Sequence, residues 1–212
     1  LEGKNIVLVS DAGTPAISDP GEDLVRLCID EGIKVVPLPG PSAFTCALVA
    51  SGMPTGRFSF EGFLTTNKKN RKIHLEEIQD DTRTLIFYEA PHKLLRTLND
   101  MLEFLGDRKI VFARELTKKF EEFYRTTISE AIKYYEQTPP KGEFVLIVSG
   151  ADRESVRKKH RGELPSADEL LREYAEGGLG GKELVKKVAA ELELPNREVY
   201  DIFLNMKKSN QI

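Results

Sequence analysis

Only two cysteines and three histidines occur among 212 residues, and this scarcity removes several chemistries at once. Cys28 and Cys46 form no CxxC pair and have no histidine beside them. Both fall inside apolar helical patterns, so they read as small core residues of a reducing, cytoplasmic setting rather than as a disulfide or a thiolate site. His74, His92 and His160 are scattered without HExxH spacing, and no metal is expected. No apolar run approaches the ~18 residues of a membrane span, and the first residues lack a basic-then-apolar export pattern. A GxGxxG fingerprint opening a helix is missing, Gly177 to Lys182 lacks Walker A spacing, and there is no GxSxG elbow. Dinucleotide, P-loop and serine-hydrolase readings are therefore poor.

Excess positive charge is lacking too: the net charge is −3, which argues against a simple cationic nucleic-acid binder. Two local basic clusters interrupt this balance. One is Lys68, Lys69, Arg71 and Lys72 with His74; the other is Arg153, Arg157, Lys158, Lys159 and Arg161 with His160. Such patches can steer a polyanion even in an acidic chain, although solvated helix faces have the same composition.

What is present is a run of small-residue loops at the ends of apolar segments. Asn5 to Val9 is short and β-branched, as expected of a strand buried on both faces. It leads into Ser10-Asp11-Ala12-Gly13-Thr14-Pro15 and Ser18-Asp19-Pro20-Gly21, a loop whose backbone can approach a ligand closely. The same composition also suits a plain βα connection. Asp19, Pro20 and Glu22 predict a capped helix start. Ile33 to Leu38 reads as a second buried strand, ending in Pro39-Gly40-Pro41-Ser42, where Ser42 is placed to cap a buried helix over Ala43 to Ser51, closed by Gly52. Helix N-termini at both loops favour an anionic group.

After a linker at Met53 to Gly56 the elements shorten. Strands are expected at Phe58 to Phe63, Thr84 to Tyr88, Lys109 to Ala113, Phe120 to Thr126 and Glu143 to Ser149. Helices are expected around Arg71 to Gln79, along the stripe Leu94, Leu98, Met101 and Leu105, and after a Ser129 cap. Residues 150–165 read as a linker. A Ser166/Glu169 capping box then opens three short helices, about 166–176, 181–193 and 197–207, of the helix-turn-helix kind.

Six motifs in one order carry a resemblance: the two loops above, Gly62-Phe63-Leu64, Tyr88-Glu89-Ala90-Pro91-His92, Arg114-Glu115-Leu116-Thr117-Lys118 and Gly142-Glu143-Phe144. Over nearly its whole length the chain closely resembles the bacterial small-subunit ribosomal RNA (cytidine-2′-O)-methyltransferases of the tetrapyrrole methylase superfamily. The resemblance implies an α/β fold of two domains, the first one incomplete, followed by a small three-helix unit. The divisions are 1–53, 57–150 and 164–212. The family's usual first strand, its proline- and glycine-bearing loop and a Glu-Asp-Thr-Arg segment would lie upstream of Leu1. Thr65 and Thr126 stand where the family usually has proline and glycine.

S-adenosylmethionine is the cofactor implied, held in a cleft. Carried over by motif, Asp11, Ala12, Gly13, Thr14 and Ile17 line its methionine and ribose part, and Ser42 and Ala43 form the opposite wall. Phe87, Tyr88, Ala113, Arg114, Gly142 and Phe144 flank the adenine. Glu89, Glu115 and Lys118 are the ionisable groups at strand ends, hence the catalytic candidates for taking a proton from a ribose hydroxyl. The expected activity is 2′-O-methylation of a cytidine in small-subunit (16S) ribosomal RNA, with the small ribosomal subunit as partner, no membrane, and a homodimer as the assembly. Two alternatives stay open: a methylase of a tetrapyrrole or other small molecule, and a noncatalytic RNA-binding module.

Overall fold

Apolar side chains on both faces of successive strands require cover on both sides of a sheet, and the elements of the chain supply it. In the computed structural model, which describes residues 3–163, 165–192 and 194–209, the order begins with α1 (Glu22–Asp30), α2 (Ala43–Ser51) and β1 (Phe58–Phe63). It continues through α3 (Lys68–Glu77), β2 (Thr84–Glu89), α4 (Pro91–Leu105), β3 (Lys109–Arg114), β4 (Glu122–Thr127), α5 (Ile128–Gln137) and β5 (Phe144–Val148). Then come α6 (Arg153–Glu163), α7 (Ala167–Glu176), α8 (Gly181–Glu191) and α9 (Asn196–Lys208). Two units result, one ending at Ala151 and one starting at Asp152.

In the first unit the strands order as β1-β2-β5-β3-β4. The β1–β2 pair is parallel; β5 pairs antiparallel with both β2 and β3, and β4 runs antiparallel to β3. Strand periodicity divides the core in two. Leu85, Phe87, Ile110, Phe112, Phe144, Leu146 and Val148 face Leu75, Leu94, Leu98, Met101, Ile128 and Ala131 of α3, α4 and α5. Ile86, Val111, Ala113, Val145 and Ile147 face Ala47 and Leu48 of α2. Because β5 is covered on both sides, all five of its residues are buried, which is why its sequence does not alternate.

The second unit contains a core of Leu170, Leu171, Leu184, Val188, Val199, Phe203 and Met206 drawn from α7, α8 and α9. Its capping box forms as the sequence predicts: Ser166 Oγ accepts the Glu169 N–H, and Glu169 Oε2 accepts the Ser166 N–H at 2.8 Å.

Several sequence expectations need correction. Asn5 to Val9 and Ile33 to Leu38 form no strand. A β-strand needs a hydrogen-bonding neighbour, and neither segment pairs with one among the described residues; Ile6 is 82% exposed and Val36 63%. The capping box at Asp19 does not form either, since α1 starts two residues later with Gly21 at its N-cap, where φ is 134°. Thr127, rather than Ser129, caps α5. The supposed linker at 150–165 contains α6, started by Asp152, whose carboxylate accepts the Ser155 N–H at 2.8 Å. Cys46 is exposed and Cys28 only partly buried, because one side of α2 lacks cover among the described residues and no residue of α1 is fully buried.

Candidate active site

Although the two N-terminal strands are absent, their loops meet. The Thr14 N–H and hydroxyl both donate to the Pro41 carbonyl, at 3.0 and 3.1 Å. Glycine suits this position because φ at Gly13 is 78°, in the left-handed region, and the approach is tight as well: a Cβ there would lie 3.2 Å from that same carbonyl oxygen. Local backbone contacts, not strand pairing, therefore join Ala12–Thr14 to Pro41–Ala43.

Helix α2, which follows the second loop, is fixed at both ends by the sheet. Ser42 occupies the N-cap position without making a side-chain cap bond. The Tyr88 hydroxyl on β2 takes that role, accepting the Phe44 N–H at 3.3 Å, and burial raises the Tyr88 pKa above its ordinary value. At the other end the Arg125 guanidinium on β4 donates to the carbonyls of Ala50 and Ser51, at 2.6 and 3.1 Å. These are the carbonyls a helix leaves unsatisfied, at its negative end.

Between these loops and the ends of β2, β3 and β5 lies a cleft of about 530 Å3, within the range of small-molecule sites. Of the residues carried over by motif, Ala12, Gly13, Thr14, Ile17, Ser42, Ala43, Tyr88, Ala113 and Phe144 line it, as do Glu89 and Lys118. Asp11, Phe87, Arg114, Glu115 and Gly142 are not among the lining residues. For Phe87 the reason is strand alternation, which buries its ring in the core on the opposite sheet face from Tyr88. Arg114 is half-buried at the end of β3, its Nε 3.1 Å from Glu122 Oε2 on the neighbouring β4 and its Nη1 donating to the Lys141 carbonyl at 3.4 Å.

Glu143, within the Gly142–Phe144 stretch carried over, lines the cleft as well, whereas Ser18, Asp19, Pro41, Cys46, Phe63, Leu116 and Thr117 on this wall were not among the candidates. All but Cys46 belong to motifs already singled out, so the signal was available. Cys46 was misplaced because α2 is apolar nearly all round and its sequence does not say which side faces the sheet.

The three ionisable candidates differ sharply. Glu89 is almost fully buried, its Oε1 accepting its neighbour's Ala90 N–H at 2.9 Å and its Oε2 the Thr97 hydroxyl at 2.5 Å. Glu115 is engaged by the Glu143 N–H and by the Lys118 ammonium, and both hold its carboxyl below the usual range. Lys118 is paired with Glu143 and Glu115, at 2.9 and 3.2 Å, which raises its pKa. A carboxylate made less basic and an ammonium made less acidic are both poor proton acceptors near neutral pH. Glu89 is left as the buried carboxylate on the cleft.

The first basic cluster is largely used inside the fold. Arg71 is buried, donating to Asp100 Oδ2 at 2.6 Å and to the Thr65 and Thr66 carbonyls. Lys72 pairs with Glu103 and His74 with Glu61, each at 2.8 Å. Lys68 and Lys69 remain exposed. In the second cluster Arg153 and Arg157 are exposed on α6, and Lys158 pairs with Glu154 at 2.9 Å.

Residues 1–132 match the family described as Tetrapyrrole (Corrin/Porphyrin) Methylases. The chain belongs to this family. It is 48% identical over 202 residues to the ribosomal RNA small subunit methyltransferase I of Bacillus subtilis (strain 168), covering 95% of this chain and 69% of that protein. The protein of the same name from Synechocystis sp. is 45% identical over 209 residues, covering 97% and 73%. Among solved structures, the methyltransferase CobJ superposes with a TM-score of 0.51 at 23% identity, over 66% of this chain and 62% of that one. The cobalt precorrin-4 methyltransferase CbiF gives 0.50 at 13%, over 65% and 61%. At these identities the structural likeness concerns the tetrapyrrole methylase fold, and the cleft of this family member is described by its own residues.

Proposed function

We propose that this chain is an S-adenosylmethionine-dependent methyltransferase that methylates the 2′-hydroxyl of a cytidine in small-subunit ribosomal RNA. The observation that carries the reading is the single cleft shared by residues of all six motifs, together with relatives near 48% identity that bear the ribosomal RNA methyltransferase name. The walls suit the cofactor: small residues and exposed backbone at Ala12–Thr14 and Ser42–Ala43, and apolar surface from Ile17, Phe63, Ala113 and Phe144. When bound, the cofactor supplies a methyl group on a positively charged sulfur.

Gly13 and Thr14 would hold its polar end, with Tyr88, Ala113 and Phe144 against the base. In-line displacement gains most from positioning, so a wall built from fixed loops is the main catalytic asset. The ribose hydroxyl gives up its proton as the new carbon–oxygen bond forms and the carbon–sulfur bond breaks, and we assign Glu89, the buried carboxylate on the cleft, as the acceptor of that proton. The exposed basic residues Arg153 and Arg157 on α6 suit a phosphate backbone. We read 1–53 and 57–150 as the parts that build the cleft and 164–212 as an RNA-directed helical unit. A cytoplasmic location accords with a ribosomal substrate, and among the described residues no helix is long and apolar enough to cross a membrane. A homodimer accords with the exposed apolar residues Val7, Val9 and Leu38, and sedimentation velocity tests it.

The deciding experiment incubates the protein with methyl-labelled S-adenosylmethionine and small ribosomal subunits that lack the modification. Label in one cytidine ribose is the expected result. Label in a precorrin instead would favour the small-molecule alternative, and RNA binding without transfer would favour a noncatalytic module.

A further inference from the structure

Four residues other than glycine have positive φ among the described residues, and all lie in loops bordering the cleft: Ala16 (66°), Ser18 (57°), Glu115 (50°) and Thr117 (63°). Such backbone persists only where its surroundings over-determine it. For the loop after β3, the surroundings are a lattice of bonds centred on one carboxylate. Glu115 Oε1 accepts the Glu143 N–H at 2.9 Å and the Lys118 ammonium at 3.2 Å. The two backbones are joined as well, since the Glu115 N–H donates to the Glu143 carbonyl at 3.0 Å and the Lys118 N–H to the Glu115 carbonyl at 3.0 Å. Lys118 also holds Glu143 Oε2 at 2.9 Å.

We propose that Glu115 is a positioning residue whose carboxylate latches the loop Glu115–Lys118 onto Gly142–Glu143, and so sets the cleft wall made by Leu116, Thr117 and Lys118. Three observations support the latch over a role as base. Leu116, Thr117 and Lys118 line the cleft, whereas Glu115 does not. One carboxylate oxygen, Oε1, takes both a backbone N–H and an ammonium. Gly142, with φ at 85°, leaves room for nothing else there: a Cβ would fall 2.5 Å from Glu115 Cγ. The side chain is therefore clamped from the strand side. The charged groups around it are Lys118, Arg114 and Glu143.

The consequence for the cofactor rests on the function proposed above, but the latch itself can be read without it. The full chain is compared as wild type, Glu115→Gln, Glu115→Ala and Gly142→Ala, by amide hydrogen exchange at Glu143, by calorimetric binding of S-adenosylmethionine, and by single-turnover rates against pH. In Glu115→Ala the Glu143 amide is expected to exchange at least about tenfold faster, and the cofactor dissociation constant to rise about tenfold, as loss of a charge-assisted bond implies. The pH profile of turnover keeps its limbs. Glu115→Gln retains an acceptor oxygen and stays within about threefold of wild type in exchange. Gly142→Ala, which displaces the same side chain, reproduces the faster exchange. If Glu115→Gln abolishes turnover while exchange and affinity stay at wild-type values, Glu115 is the base and the latch is wrong. Unchanged exchange in both Glu115→Ala and Gly142→Ala also overturns it. Failure of the wild type to bind the cofactor would count against the proposed function alone, because the exchange comparison still judges the latch.

Discussion

Arg71 takes a guanidinium into the interior of the first unit, where Asp100 and two loop carbonyls receive it. Removing one member of such a pair leaves the other charge without its partner in a poorly solvated place. Arg71→Leu is therefore expected to destabilise the unit by about 3 kcal/mol, seen as a lower midpoint in urea unfolding. Acid sensitivity also belongs to single residues. Asp81, bonded to the Arg83 side chain, and Asp107, bonded to the Ser129 N–H and hydroxyl, both have carboxyls held below their usual range. A carboxyl whose folded pKa lies below its unfolded one adds stability that is complete above the unfolded value. That stability is lost as pH falls through the folded value. Urea midpoints should thus decline between about pH 5 and pH 2, and the decline should be shallower in Asp81→Asn, a difference that parallel titrations of the two proteins measure.

At the scale of elements, α2 has the largest lever on the cleft. Its N-terminal turn lines the site, and its position depends on side chains from two strands, Tyr88 and Arg125, that are far away in sequence. Arg125→Ala is expected to cost about 1 kcal/mol, since a cation at a helix C-terminus and its bonds to partly exposed carbonyls contribute at that level. Cofactor affinity measured by calorimetry should fall with it, although Arg125 lies outside the cleft. The span of α2 was legible in the sequence to the residue, because Ser42 and the left-handed Gly52 mark its ends. Its orientation was not: an almost uniformly apolar helix has no polar face to distinguish solvent from sheet. In α3 the opposite problem arose, since a basic run looked like a surface patch while one of its members, Arg71, is buried.

For the whole molecule, the segment from Asn5 to Leu38 presents apolar side chains outward, Ile6, Val7, Val9 and Val36 among them. Side chains without packing partners within one chain contribute little to its folding, so in the monomer Val7→Ser and Val36→Ser should each leave the unfolding free energy within about 0.5 kcal/mol of wild type. A larger loss in denaturant titration would mean that these residues are covered in solution.

By itself, the sequence determined the element types from Phe58 onward apart from α6, the Ser166 capping box, and the order of loops that marks the family. These depend on local chemistry: periodicity, caps and glycines that act within a few residues. Tertiary structure alone decided that Asn5–Val9 and Ile33–Leu38 do not pair as strands while their loops still meet through Thr14 and Pro41. It likewise placed Phe87 in the core and Tyr88 on the cleft, and tied Glu115 and Lys118 to Glu143 while leaving Glu89 buried on the cleft wall. Such outcomes depend on which distant backbone or charge arrives alongside, and a single stretch of sequence does not contain its neighbours.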